Sequence, residues 1–131
     1  MNIGVRLVVI IFILLTGLIA GSRDPLYESI ESYLAKYKQT IERDDVTMQN
    51  GIIQLKMNAR RTNIKSQLLL GFYSIGRALQ RSSTPFREAQ IVIYYDLKER
   101  QEVLIKTPVE KVLDLSQGRI SSEQFFAIIG Y

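Results

Sequence analysis

Fifteen residues near the N-terminus, Leu7–Gly21 (LVVIIFILLTGLIAG), carry no charge, and Arg6 stands immediately before them. No polar face interrupts the run, which argues against an ordinary amphipathic core helix. Two readings remain: the apolar core of a secretory signal, or a short membrane-spanning anchor. At about 1.5 Å of rise per residue the run covers roughly 22 Å, short of the roughly 30 Å hydrocarbon layer of a bilayer, which favours a signal. Ala20 and Ser22 also stand in the small-x-small arrangement that a signal peptidase accepts, just before Arg23-Asp24. The sparse positive charge ahead of the run keeps the anchor open, with its N-terminus inside. The expectation is therefore a signal peptide or N-terminal membrane anchor over residues 1–22 and a single extracytoplasmic domain over 23–131, secreted or membrane-anchored.

The chemistry open to that domain is narrow. The chain contains no cysteine, no histidine and no tryptophan. Without thiols an exported chain has no disulfide framework, so packing alone must stabilise it. Without imidazole or thiolate there is no Ser-His-Asp triad, no cysteine nucleophile and no conventional zinc site. The densest carboxylate cluster, Glu42 with Asp44-Asp45, lies beside Arg43 and lacks the ligand spacing of a calcium loop. Neither phosphate-cradling glycine motif, G-x-x-x-x-G-K-[ST] or G-x-G-x-x-G, occurs, and no S-x-x-K is present. These observations assign no catalytic residue, no cofactor and no metal; only an unrecognised carboxylate chemistry would make the chain an enzyme.

Periodicity divides the domain into elements. Asp24 can cap a helix with Pro25 at its first position, and Leu26, Ile30, Tyr33, Leu34, Tyr37 and Ile41 then follow at helical spacing, predicting a helix from Pro25 to Arg43. Gly51, Ile53, Leu55, Met57 and Ala59 alternate with Ile52, Gln54, Lys56, Asn58 and Arg60, the period of a half-buried strand. Asn50-Gly51 is a hairpin dipeptide, so Val46–Gln49 is expected as its short partner. A second helix is predicted from Asn63 to Arg81, apolar at Ile64, Leu68, Phe72, Ile75 and Leu79 and widened by Leu69, Leu70, Tyr73 and Ala78. Gly71 and Gly76 inside it suggest close approach to a strand or a partner helix.

After Ser82-Ser83-Thr84-Pro85, the alternation of Ala89, Ile91, Ile93 and Tyr95 predicts a strand, and Val103, Leu104 and Ile105 a return strand across a charged loop. Thr107-Pro108-Val109-Glu110 matches a capping box with proline at the first helical position; Gly118 would stop that helix, and Ser121 or Ser122 would cap a last one. The order α(β)βαββαα predicts an α+β fold: a small antiparallel or mixed sheet of three or four strands with helices packed on it, preceded by the hydrophobic segment. Its αβαββ part resembles in order the BON domain of bacterial envelope proteins. Of that family's glycine-punctuated strands only Gly51 has a counterpart, so the resemblance stops at the order of elements. From the core expected beneath the long helix, Leu68, Phe72, Ile91, Ile93 and Val103 should be buried together.

Charge is the one asymmetric feature. Between Gly51 and Gln90 there are seven basic residues, Lys56, Arg60, Arg61, Lys65, Arg77, Arg81 and Arg87, against a single acid, Glu88. Such a segment outside a membrane suits a protein partner in the envelope, or anionic lipid or polymer; nucleic acid has no supporting motif. Phe125-Phe126 adds an adjacent aromatic pair near the chain end, of which a short helix can bury only one ring. The expected function is a non-enzymatic extracytoplasmic interaction or accessory domain of a cell-envelope assembly, with a polyanion- or anionic-lipid-binding module as the alternative. The candidate surface is Arg60, Arg61, Lys65, Phe125 and Phe126, with the membrane a further partner through Leu7–Gly21 if that run is retained.

Overall fold

A computed structural model describes residues 24–131, and the signal-or-anchor expectation for Leu7–Gly21 falls outside them. The period-two segment forms β2 (Ile52–Asn58), with Ile53, Leu55 and Met57 buried and Gln54 and Lys56 half-buried between them. Asn50 and Gly51 both take positive φ, 56° and 76°, the geometry of a tight two-residue turn whose twist matches its strands. That turn returns the chain from β1 (Val46–Gln49), which pairs antiparallel with β2 in the register Val46 to Leu55.

The long apolar helix is α2 (Ile64–Gln80), and its breadth has a cause: it packs on β2 and β3 and also carries a helix on either flank. The two glycines serve different neighbours. A methyl on Gly71 would lie 2.5 Å from Ile91 Cδ1 and 2.7 Å from Met57 Sδ, so Gly71 lets the helix down onto the sheet. A methyl on Gly76 would lie 2.6 Å from Ser116 Cβ and 2.9 Å from the Val112 carbonyl, so Gly76 seats the next helix. α1 (Pro25–Ala35) covers the other flank with Leu26, Ile30 and Leu34, and Asp24 caps it by accepting the Leu26 N–H at 3.0 Å.

β3 (Glu88–Asp96) lies parallel to β2, reached through α2, and antiparallel to β4 (Arg100–Pro108). The sheet is thus mixed, four-stranded and ordered β1-β2-β3-β4, as the α+β expectation allowed. α3 (Val109–Ser116) and α4 (Ser122–Ile129) follow. Ala89, Ile91 and Ile93 of β3 point to the helices and join Phe72, Ile75, Val112, Leu115 and Phe125 in one core. No helix among the described residues covers the opposite face, where Ile52, Val92 and Leu104 lie among polar side chains: Gln54 Nε2 donates to Gln90 Oε1 at 2.7 Å, and Gln90 Nε2 to Glu88 Oε2 at 2.5 Å.

Four expectations need correction. The first helix stops at Ala35 instead of Arg43: Lys38 takes φ 61°, its N–H bonds to the Ala35 carbonyl and that of Gln39 to the Leu34 carbonyl, a left-handed closure of the Schellman type. The acidic cluster, expected at that helix's end, lies in a separate 3₁₀ turn, Arg43–Asp45, where Asp45 Oδ2 accepts the Glu42 N–H at 2.8 Å. Thr107 forms no capping box. It is buried in β4 opposite Ala89, and the ladder runs on to Val109, whose N–H bonds to the Arg87 carbonyl, so the helix begins at Val109 rather than Pro108. Val103 is only half-buried, because β4 is the edge of the sheet and no strand among the described residues covers its outer flank.

Candidate interaction surface

The basic corner is built by the turn from β2 into α2. Asn63 precedes the helix, but its carboxamide turns back to accept the Arg60 N–H at 2.7 Å, and the Asn63 N–H closes the turn on the Arg60 carbonyl. That leaves Arg60 and Arg61 on an exposed bend, and Lys65 one position into the helix. No acid sits in the first turn of α2, and none of the three cations forms an ion pair among the described residues. Three positive charges at a helix N-terminus oppose the helix dipole, an arrangement that an anionic contact would relieve.

Residues 125 and 126 separate as a helix requires. Ser121 Oγ accepts the Gln124 N–H, Gln124 returns a bond to the Ser121 N–H, and this box starts α4 in a fixed orientation. Phe125 then faces inward, fully buried, with its ring edge-on to Phe72 at 5.1 Å between centroids. It belongs to the core and leaves the candidate surface. Phe126 is half-buried, and Lys65 Nζ stands over its ring at 5.1 Å, a cation–π contact that joins the basic corner to the C-terminal helix. A shallow groove beside them is lined by Lys65, Glu123, Phe126, Ala127, Gly130 and Tyr131.

Tyr131, markedly exposed, extends this apolar rim, and the candidate surface read from the sequence does not include it. The available signal was Gly130: its φ of 76° ends the helix and directs the Tyr131 N–H back to the Phe126 carbonyl at 2.9 Å, holding the last ring near the groove. The remaining basic residues do not gather here. Lys56 lies on the open sheet face, Arg87 donates to the Asn50 carbonyl at the far hairpin, and Arg77 stacks on Tyr33 at 5.4 Å. The sevenfold excess of the sequence therefore contracts to three cations at one corner.

A second groove runs between α1 and the C-terminal half of α2, where Lys36, Arg77 and Arg81 are balanced by Asp24 and Glu28. Burial, followed by the neighbouring Tyr37 hydroxyl, pushes the Tyr33 phenol there up to about 12. No group of three carboxylates among the described residues is placed to hold a metal ion, and none of their helices is long and apolar enough to cross a membrane. Comparisons with family models, curated proteins and solved structures found no match, so the functional reading rests on this geometry.

Proposed function

We propose that this chain is a non-enzymatic, extracytoplasmic interaction domain of the cell envelope, delivered or held there by Leu7–Gly21, and that it docks an acidic protein partner at the corner of α2 and α4. The observation that carries the reading is the Lys65–Phe126 pair, a cation seated on a half-exposed ring beside a groove rimmed by Tyr131. Arg60 and Arg61 flank it with charge unpaired among the described residues. Interfaces favour this mixture: aromatic and arginine side chains supply most of the binding energy, and complementary charge steers the approach. The absence of histidine and cysteine supports a binding role over a catalytic one.

A photo-crosslinking residue at position 126, in the full chain expressed in cells, should give one discrete adduct with an acidic protein. Arg60→Glu with Arg61→Glu should abolish the adduct while circular dichroism stays unchanged. The surface is better probed this way than by removing α4, since truncation before Ser121 would also remove Phe125 from the core. The lack of any acid in the first turn of α2 favours a second reading, in which the same corner binds anionic lipid or polymer. Co-sedimentation with anionic vesicles but not zwitterionic ones, falling steeply with salt and lost in the double variant, would select it.

A further inference from the structure

The two edges of the sheet are unequal. β1 has four residues and is bordered by the 3₁₀ turn, whereas β4 runs for nine residues without a bulge, its only proline at the last position. The phase of the ladder is fixed at both ends, where Val109 N–H bonds to the Arg87 carbonyl and Leu97 N–H to the Glu99 carbonyl. Odd-numbered residues of β4 therefore bond inward to β3. The N–H and C=O groups of Glu102, Leu104 and Lys106 point outward, where no strand among the described residues receives them. A long unpaired edge of this kind is a template for another strand.

The side chains along that edge select the strand. We propose that β4 pairs antiparallel with β4 of a second copy about a two-fold axis at Leu104. In this register Leu104 meets its own mate, Glu102 lies opposite Lys106 and Lys106 opposite Glu102, all with outward-pointing backbone groups, as an antiparallel hydrogen-bonded pair requires. On the helix side Val103 meets Ile105, and these are two apolar residues that the isolated chain leaves half-exposed. Leu104 itself is 46% exposed. Slipping the strands by two residues either way pairs Arg100 with Lys106 or Leu104 with Lys106; slipping by four pairs Glu102 with Glu102 or Lys106 with Lys106. Only the Leu104-centred register satisfies both charges, and the symmetry repeats each contact twice. Pro108, lacking an N–H, ends the pairing on either side. The result joins two four-stranded sheets into one.

The chain's lack of cysteine makes the test clean. Hydrogen-bonded antiparallel partners have Cα atoms about 5.5 Å apart, within disulfide reach. Full-length chain carrying Leu104→Cys, in mild detergent with a mild oxidant, should convert to a disulfide-linked dimer at twice 15.0 kDa on a non-reducing gel. The same chain with Gln49→Cys on the β1 edge should convert about tenfold more slowly. Adding Glu102→Lys, or Lys106→Glu, to the Leu104→Cys chain should slow dimer formation about tenfold, because each places like charges opposite each other twice. Combining the two should restore the rate to within about twofold, since the exchanged charges face each other again. Equal rates at positions 104 and 49, failure of the double exchange to rescue, or cross-linking of position 104 to another protein and never to itself would each overturn the proposal.

Discussion

Tyr33 shows how much one side chain can be asked to do in this domain. It closes the α1–α2 groove, touches Tyr37 at 5.3 Å between ring centroids and receives Arg77 on its face. Its phenol is raised from 10.0 in the unfolded reference to about 12, chiefly by burial. A group raised in the folded state stabilises it fully below the unfolded value and ceases to do so as pH passes the folded one. Stability should therefore fall between pH 10 and pH 12. Tyr27, also raised by burial and by the Glu31 carboxylate to which it donates at 2.9 Å, should add to the fall. Chemical denaturation across that range should show a shallower decline in Tyr33→Phe than in the wild type, and an identical decline would refute the assignment. The helical spacing of Tyr33 and Tyr37 predicts a core stripe, but Tyr33 is half-buried at the rim of a groove outside the core and Tyr37, beyond the end of α1 at Ala35, is 55% exposed. Lys38 was not legible as a stop, because the left-handed turn is a position that glycine usually marks and lysine seldom occupies. Phe125 and Phe126 stood together in the sequence, and which ring faces inward depended on the phase of α4, set by Ser121 rather than Ser122.

At the scale of elements, α2 is the piece on which the others are assembled, and its two glycines divide the labour. Gly76→Ala should destabilise the domain by about 1–3 kcal/mol even after the gain in helix propensity, since the added methyl meets Ser116 Cβ and the Val112 backbone, which cannot turn aside. Gly71→Ala should cost less, because Ile91 Cδ1 and Met57 Sδ are side-chain ends that can rotate away. Urea unfolding of the two variants checks the order; a larger loss at Gly71 would mean that the helix–sheet contact is the stiffer one. The sequence pattern revealed α2, β2 and β3 because each is bounded by punctuation and carries one clean period. β4 is longer than the apolar run Val103–Ile105 indicates, because Arg100, Glu102 and Lys106 alternate with Gln101, Val103 and Ile105 and carry their charges on the open face. Thr107-x-x-Glu110 has the letters of a capping box, but sheet pairing claimed Thr107 first.

For the whole molecule, a chain without cysteine has no disulfide to stabilise it, and one core beneath α2 carries the packing. Ile93 sits at its centre with no exposed surface. Ile93→Ala should lower the unfolding free energy by about 2–5 kcal/mol, and an unchanged melting temperature would exclude the packing described. The function was less legible than the fold. Seven cations crowd one segment of the sequence, but the strands and α2 carry them to different sides, and only the turn at Arg60-Arg61 keeps its charges together with Lys65.

The parallel pairing of β2 with β3 also sets an order of events in time. The turns at Asn50-Gly51 and at Leu97–Glu99 bring their strands together across a few residues, whereas Ile52 meets Glu88 only after the intervening chain has closed a long loop. Two hairpins can thus arise early and independently, and the slow act is their union under α2. In stopped-flow mixing Ile93→Ala, which weakens that union, and Val46→Ala, which weakens a hairpin formed before it as well as the core, should both slow refolding.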